Sequence, residues 1–398
     1  MRVLRSDRRD PSESSARLPR NVWVLAWVAF FNDTATEMSY WLLPQFLVGV
    51  LGAGPLAFGL IEGAAETVSS FGRLVSGYVS DRWRRRKPLV AVGYTVANLV
   101  KPLLAMAGSW RQVFWIRFAD RAAKGFRGAP RDALIADSVS AAHRGAAFGL
   151  RQAMDSAGAI VGPLGALLLL PLLAGNVRSV FWMATLPGLV SILLAWLAVR
   201  EVRPARAATA QVASGMEEGS QGTPRRLVVV LAAVALFSLG NSSDLFLLLR
   251  AQNLGVAASL APALGLLFNL VYTVLSWPAG KLSDRIPRRL VVVLGYMIYA
   301  GVYLGFALLR SPGPVWFLFA VYGIYYALTE GVLRAWIADL VPSASRASVF
   351  GILNWVVGVA ALPASLLAGW LWQHYSPAAP FFISAMLSLL AGVLLFFA

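Results

Sequence analysis

The residues best able to do chemistry in this sequence are charged side chains in stretches that are otherwise apolar. Arg117, Asp120, Arg121, Lys124, Arg127, Arg131 and Asp132 lie within one such stretch. At about 100° per residue they fall within an arc of about 140° on a single helix. Glu62, Glu66 and Arg73 are spaced +4 and +7, sharing a face within about 40°. Asp33 with Glu37, and Arg151 with Asp155, are i,i+4 pairs. Such groups can exchange protons, pair across helices or hold an ionic solute. An enzyme is not expected, because a nucleophile, base or metal constellation does not assemble. There is no cysteine, the two histidines His143 and His374 fall near opposite ends of helical spans, and no phosphate-cradling glycine loop is evident. No cofactor or metal is therefore expected.

The elements that position these charges are apolar runs of roughly 20 residues or more, the length that crosses a hydrocarbon core. Of the 398 residues, 58% are hydrophobic and 14% charged. The runs predict twelve helices at about 22–50, 55–80, 88–108, 111–138, 145–174 and 178–200, then 225–252, 257–283, 289–309, 313–340, 346–373 and 377–398. Residues 1–20 read as a polar arm. Residues 201–224, rich in Ala, Ser, Gly and charge, read as a linker between an N-terminal half (21–200) and a C-terminal half (225–398). The fold class is thus an all-α membrane protein of twelve helices in two parallel six-helix repeats.

The formal charge of +16 is placed unevenly. Of the 35 Lys and Arg, about 21 fall in the arm and alternate loops and only about 4 near the other loops. That bias is the positive-inside pattern of a bacterial-type inner membrane, with both termini cytoplasmic. It accounts for the charge without nucleic acid as a partner; the partners expected are the bilayer, protons and a small molecule, and the chain is expected to be a monomer. The arm lacks the apolar stretch and cleavage site of a signal peptide, so the first helix is expected to be an uncleaved insertion signal.

The halves repeat in register. Gly77-Tyr78-Val79-Ser80-Asp81-Arg82 returns as Gly280-Lys281-Leu282-Ser283-Asp284-Arg285, 203 residues on. Ile135-Ala136-Asp137, Arg144 and Phe148-Gly149 return 202 residues on as Ile337-Ala338-Asp339, Arg346 and Phe350-Gly351, and Gly93-Tyr94 as Gly295-Tyr296.

On these residues the whole chain resembles the major facilitator superfamily. The loop from Gly77 to Lys87, with Asp81, Arg82, Arg85 and Arg86, is similar to the signature between its second and third helices, and Gly280 to Arg289 is a degenerate copy. Two patterns resemble the drug:proton antiporter branch: the run Gly158 to Gly165 with Pro163 on helix 5, and Arg121, Lys124 and Gly125 on helix 4, with Lys124 where that pattern has Gln. The resemblance implies alternating access about a mid-membrane site.

Two readings of the membrane-depth charges stay open: ion pairs that hold helices together, or substrate and proton sites. Gating is expected of Gly77, Asp81, Arg82, Arg85, Arg86, Asp137, Arg144, Gly280, Asp284, Arg285, Asp339 and Arg346. Proton coupling is expected among Asp33, Glu37, Glu62, Glu66, Asp120 and Asp155. Asp33 and Glu37 lead, because helix 1 brings no cation of its own. The substrate cavity is expected to draw on Arg117, Arg121, Lys124, Arg127, Arg131, Arg151, Asn241 and Asp244. Aromatic lining is expected from Trp27, Phe30, Phe31, Tyr40, Trp41, Phe246, Phe268, Tyr272, Trp277 and Tyr325. The function expected is proton-coupled export of a small organic solute; the alternative is uptake or exchange of an anionic metabolite, a siderophore or a metal-related solute.

Overall fold

The computed structural model describes residues 18–83, 85–140, 143–202, 225–341 and 346–397. Most of the arm and of the linker lies outside them, as do the side chains of Asp81, Arg144 and Arg346. The described residues form twelve helical rods and no strand. In the first half these are α1 (Arg20–Tyr40), α2 (Pro55–Trp83), α3 (Arg86–Met106), α4 (Trp110–Asp137), α5 (Arg144–Leu172) and α6 (Val177–Ala198). In the second half they are α7 (Arg225–Asn253), α8 (Ala261–Arg285), α9 (Arg288–Leu308), α10 (Val315–Asp339), α11 (Arg346–His374) and α12 (Ala379–Phe396).

Four rods are less continuous than their hydropathy implies; α3 is interrupted at Lys101–Pro102 and α6 at Ala184. The first span, expected as one helix over 22–50, breaks after Tyr40 and resumes as a π-helical turn at Gln45–Val50. Pro44 sits in the break, where its missing N–H and its ring deny a helical bond to Tyr40. α7 is interrupted at 241–244, where Asn241-Ser242-Ser243-Asp244 follows Gly240; these side chains compete for backbone hydrogen bonds. Nine of the rods are apolar enough to cross a membrane on composition alone. The other three, α1, α2 and α4, carry the acidic and basic clusters, and a charge at that depth persists only if it faces the protein interior.

Packing follows the sequence repeat. α1 lies on α5 and α6, α3 on α4 and α6, and α2 on α4; α7 lies on α11 and α12, α9 on α10 and α12, and α8 on α10. The halves meet along α2 with α11 and α5 with α8. The first seam is closest where glycines meet the backbone of the opposite helix. A Cβ on Gly59 would lie 2.2 Å from the Ser365 carbonyl oxygen, and one on Gly369 2.5 Å from that of Pro55. Thr67 Oγ1 donates to the Gly358 carbonyl at 2.8 Å. Beyond Ser70, towards the basic loop, Phe71, Leu74, Val75 and Tyr78 of α2 are exposed. The halves therefore close at one end and part at the basic end.

The repeat also duplicates an ion pair. Arg86 at the start of α3 bonds Asp137 at the end of α4. Arg288, 202 residues on, bonds Asp339 at 2.7 Å and Asp284 at 3.3 Å, and donates to the Ala335 carbonyl at 3.0 Å. The two copies differ in burial, with side-chain exposures of 12%/19% for the first pair and 27%/58% for the second. Arg86→Met is expected to cost about 1–3 kcal/mol, the range for a hydrogen bond to a charged group left unmet. Arg288→Met, a screened pair, is expected to cost under about 1 kcal/mol. Thermal unfolding of the two purified variants checks the ranking.

Candidate functional site

Between the halves lies a cavity of about 420 Å³. Its first wall is α1, α2 and α4, contributing Tyr40, Glu62, Glu66, Ser70, Arg73 and Arg121. Its second wall is α7, α9, α10 and α11, contributing among others Asn241, Asp244, Tyr296, Tyr325, Tyr326, Glu330, Arg334, Asn354 and Ser365. The break in α7 is what presents Asn241 to Asp244 to this space, since a continuous helix would bind their backbone groups internally. The seam at Gly59 and Gly369 closes one end, and Arg73, Glu330 and Arg334 stand at the other.

The first wall is built on a buried ion pair. Arg117 donates from Nε to Glu62 Oε1 at 3.0 Å and from Nη2 to both carboxylate oxygens at 2.9 and 3.0 Å. Arg117 also reaches Asp120 at 3.5 Å, and its guanidinium lies 5.5 Å from the Tyr40 ring centre. A second guanidinium, Arg121, lies 5.7 Å from the same ring. Arg121 is buried and lines the cavity, yet it has no ion-pair or hydrogen-bond partner among the described residues; nor does Glu66, Arg73 or Lys124. α2 and α4 come this close because Gly125 faces Ser69, where a Cβ would lie 2.2 Å from a carbonyl oxygen.

Behind α4 runs a polar chain that the sequence pattern does not announce. Lys101, 4% exposed, donates to Asn98 Oδ1 at 2.9 Å. Asn98 donates to Asn32 Oδ1 at 3.2 Å, and Asn32 to Asp33 Oδ1 at 3.0 Å. Lys101, Asp120 and Arg117 share a small second cavity with Thr36, Ser39 and Tyr40. A network therefore reaches from Glu62 at the main cavity through Arg117 and Asp120 towards Lys101, and on to Asp33.

The second wall replaces charge with tyrosine. Adding 202 to Lys101, Asp120, Lys124 and Arg127 gives Tyr303, Tyr322, Tyr326 and Thr329. Tyr322 and Tyr326 donate their hydroxyls to the two oxygens of Asp244, at 2.6 and 2.9 Å. Tyr299 stacks on Tyr303, with ring centres 4.0 Å apart, and its hydroxyl donates to Asn241 Oδ1 at 3.3 Å. Phe237 stacks on Tyr296 at 4.1 Å.

Of the expected site residues, Glu62, Glu66, Arg121, Asn241 and Asp244 line the main cavity. Arg117 stands behind Glu62, and Asp120 faces the second cavity. Arg127, Arg131 and Arg151, expected in the cavity wall, lie elsewhere: an arc as wide as that of α4 also faces α3 and α5, and Arg151 of α5 turns to Asp132 on that face. Arg127 is buried over the Tyr94 ring at 4.3 Å, Arg131 bonds Asp132 at 3.0 Å, and Arg151 bonds Asp155 and lies 3.6 Å from Asp132. Lys124 is exposed and outside the cavity lining. Asp33 and Glu37 sit where α1 crosses α5: a Cβ on Gly158 would lie 3.1 Å from Asp33 Cβ, and one on Gly162 2.8 Å from Glu37 Cβ. Glu37 accepts from Trp41 Nε1 at 2.8 Å. Among the expected gating residues, Gly77 touches Ala129, Gly280 faces open space, and Arg82, Arg85 and Arg285 are exposed. Of the aromatics, Tyr40 and Tyr325 line the cavity, Phe246 and Phe268 are buried, and Trp27 and Trp277 lie on the outer surface.

Lys101, Ser243, Tyr322 and Tyr326 were not singled out by sequence, and Tyr296 appeared there only as part of the repeat. The tyrosines had a signal, recurring at 296, 299 and 303 and at 322, 325 and 326 with helical spacing. Lys101 had none, being one cation in an apolar run.

Two like six-helix bundles enclosing a polar cavity, with charged helices turned inward, define a multi-pass membrane transporter of a small molecule and not an enzyme. The chain belongs to the Major Facilitator Superfamily, whose family model matches residues 25–249 and 227–398. It is 35% identical over 392 residues to an uncharacterized MFS-type transporter of Methanocaldococcus jannaschii, covering 97% of this chain and 96% of that one. A shorter match, 30% identical over 134 residues, joins 33% of this chain to 32% of the class B tetracycline resistance protein of Escherichia coli. A crystal structure of a POT family transporter in complex with 5-aminolevulinic acid shares the fold, with TM-score 0.79 at 11% identity over 95% of this chain and 96% of that one.

Proposed function

We propose that this protein is a proton-coupled exporter of a small organic solute, acting as a monomer in a bacterial-type inner membrane. The observation that carries the reading is the central cavity, sealed by the glycine seam at one end and open at the basic end. The basic end is cytoplasmic by its excess of Lys and Arg, so the cavity faces inward with both termini on that side. Residues 21–200 and 225–398 are the two rocking bodies, joined by 201–224. The Arg86–Asp137 and Arg288–Asp339 pairs brace the cytoplasmic gate, together with Gly77, Asp81, Arg82, Arg85, Arg144, Gly280, Asp284, Arg285 and Arg346.

Asp33 and Glu37 carry the coupled proton. Among the described residues neither forms an ion pair, which favours them for this role over Glu62, Asp120 and Asp155, whose carboxylates are held by Arg117 and Arg151. Export is favoured by the glycine run of α5 that seats these carboxylates, and by the partial likeness to the tetracycline resistance protein. The test is a pH jump across proteoliposomes, with solutes drawn from a thermal-shift screen of organic cations, organic acids, siderophores and metal ions. Proton-driven flux is expected in the wild type and is expected to fall to background in Asp33→Asn or in Glu37→Gln. Intact pH-driven transport in both variants sinks the coupling.

A further inference from the structure

The two walls of the cavity differ in charge, the first balanced and the second acidic. On the first, Arg73 and Arg121 stand against Glu62 and Glu66, with Arg117 and Asp120 cancelling behind them; because Arg117 holds Glu62, the guanidinium of Arg121 is left without an ion-pair partner among the described residues. On the second, Asp244 and Glu330 stand against Arg334, a balance of −1. The Glu330–Arg334 pair at 3.1 Å neutralises itself near the open end, which leaves Asp244 as the uncompensated charge of that wall. Asp244 takes one bond from each of two tyrosine hydroxyls, and a carboxylate has about four lone-pair sites, so acceptor capacity remains. Opposite it, Arg121 is buried at the cavity surface with its fork of donors unused by any described residue.

We infer that the solute of this cavity is a zwitterion with an aromatic body, its anionic end on Arg121 and its ammonium end on Asp244. The inference rests on the cavity being the transport site. When the halves close over a solute and exclude water, each of these charges needs a counter-charge. A net anion satisfies Arg121 and leaves Asp244 facing nothing; a net cation does the reverse; a zwitterion satisfies both. The aromatic body follows from Tyr40, Tyr296, Tyr325, Tyr326 and Phe237 around the space, whose rings stack on an aromatic group and attract an ammonium. A volume of about 420 Å³ suits a compound of amino-acid size.

The test uses the purified full chain and three probes of one shape: phenylalanine, phenylalaninamide and N-acetylphenylalanine, which are zwitterion, cation and anion. In the wild type only phenylalanine is expected to raise the unfolding temperature. Arg121→Met is expected to shift preference to phenylalaninamide, and Asp244→Asn to N-acetylphenylalanine, each by about tenfold or more in apparent affinity. A wild-type preference for either singly charged probe, or no binding of all three, overturns the inference. If one variant does not fold, the wild-type ranking and the other variant still decide. Phenylalanine binding without proton-linked flux in proteoliposomes defeats the transport reading and leaves the solute class standing. Proton-linked flux of a singly charged solute does the opposite.

Discussion

Replacing Arg117 with methionine lowers stability by about 3–5 kcal/mol and abolishes transport, because it strands Glu62 as a buried, unpaired carboxylate. Both side chains are 5% exposed, and three hydrogen bonds at 2.9–3.0 Å tie them together. Arg117 also anchors Asp120 at 3.5 Å, so its loss leaves a second carboxylate beside Lys101 without its nearest cation. The double variant Arg117→Met, Glu62→Gln separates the two consequences. It removes the stranded charge, so most of the lost stability is expected to return, since replacing a whole buried pair is often near neutral. Transport is expected to stay absent, because Glu62 lines the cavity and Arg117 fixes where its charge sits. Thermal unfolding and proteoliposome flux on the single and double variants make the measurement. A double variant that recovers both properties gives the pair a structural role alone.

That pair shows what the sequence could and could not disclose. The twelve rods were legible because crossing a bilayer demands about 20 apolar residues in a row, and the in-register motifs showed the two halves. Glu62 and Arg117 were each visible as an expensive charge, but their partnership joins α2 to α4 across 55 positions. The arc of α4 was also visible. Which neighbour each residue meets depends on packing, so Arg127 turns to Tyr94 of α3 while Arg121 turns to the cavity. Breaks were the least legible feature: the interruption of α7 that bares Asn241 to Asp244 lies inside a continuous hydropathy peak. Lys101 gave no periodic signal, because its neighbours Asn32 and Asp120 come from other helices.

Gly59→Ala is expected to turn the protein over, populating the state open at the end sealed here. The added Cβ would lie 2.2 Å from the Ser365 carbonyl oxygen and 2.9 Å from its carbon, both backbone atoms that cannot swing aside. Overpacking of this kind costs about 1–3 kcal/mol. The cost falls on the described state, in which α2 and α11 touch along this seam, and is relieved where the seam opens. A two-state equilibrium is thereby shifted by roughly five- to 150-fold towards the opposite opening. The chain offers a direct measurement, because it has no native cysteine to remove. A single cysteine placed at Asn354, which lines the cavity and is not buried, can be labelled with an impermeant maleimide from either side of the bilayer. Labelling from the basic side is expected to fall in Gly59→Ala and labelling from the opposite side to rise, with flux reduced because one state dominates. Gly63→Ala, whose Cβ would lie 2.8 Å from Leu362 Cα in the same seam, is expected to act in the same direction. Gly301→Ala, facing open space on α9, is expected to change neither rate and serves as the control. If Gly59→Ala unfolds the protein or leaves both labelling rates unchanged, the seam is fixed packing and not the closed side of an alternating gate.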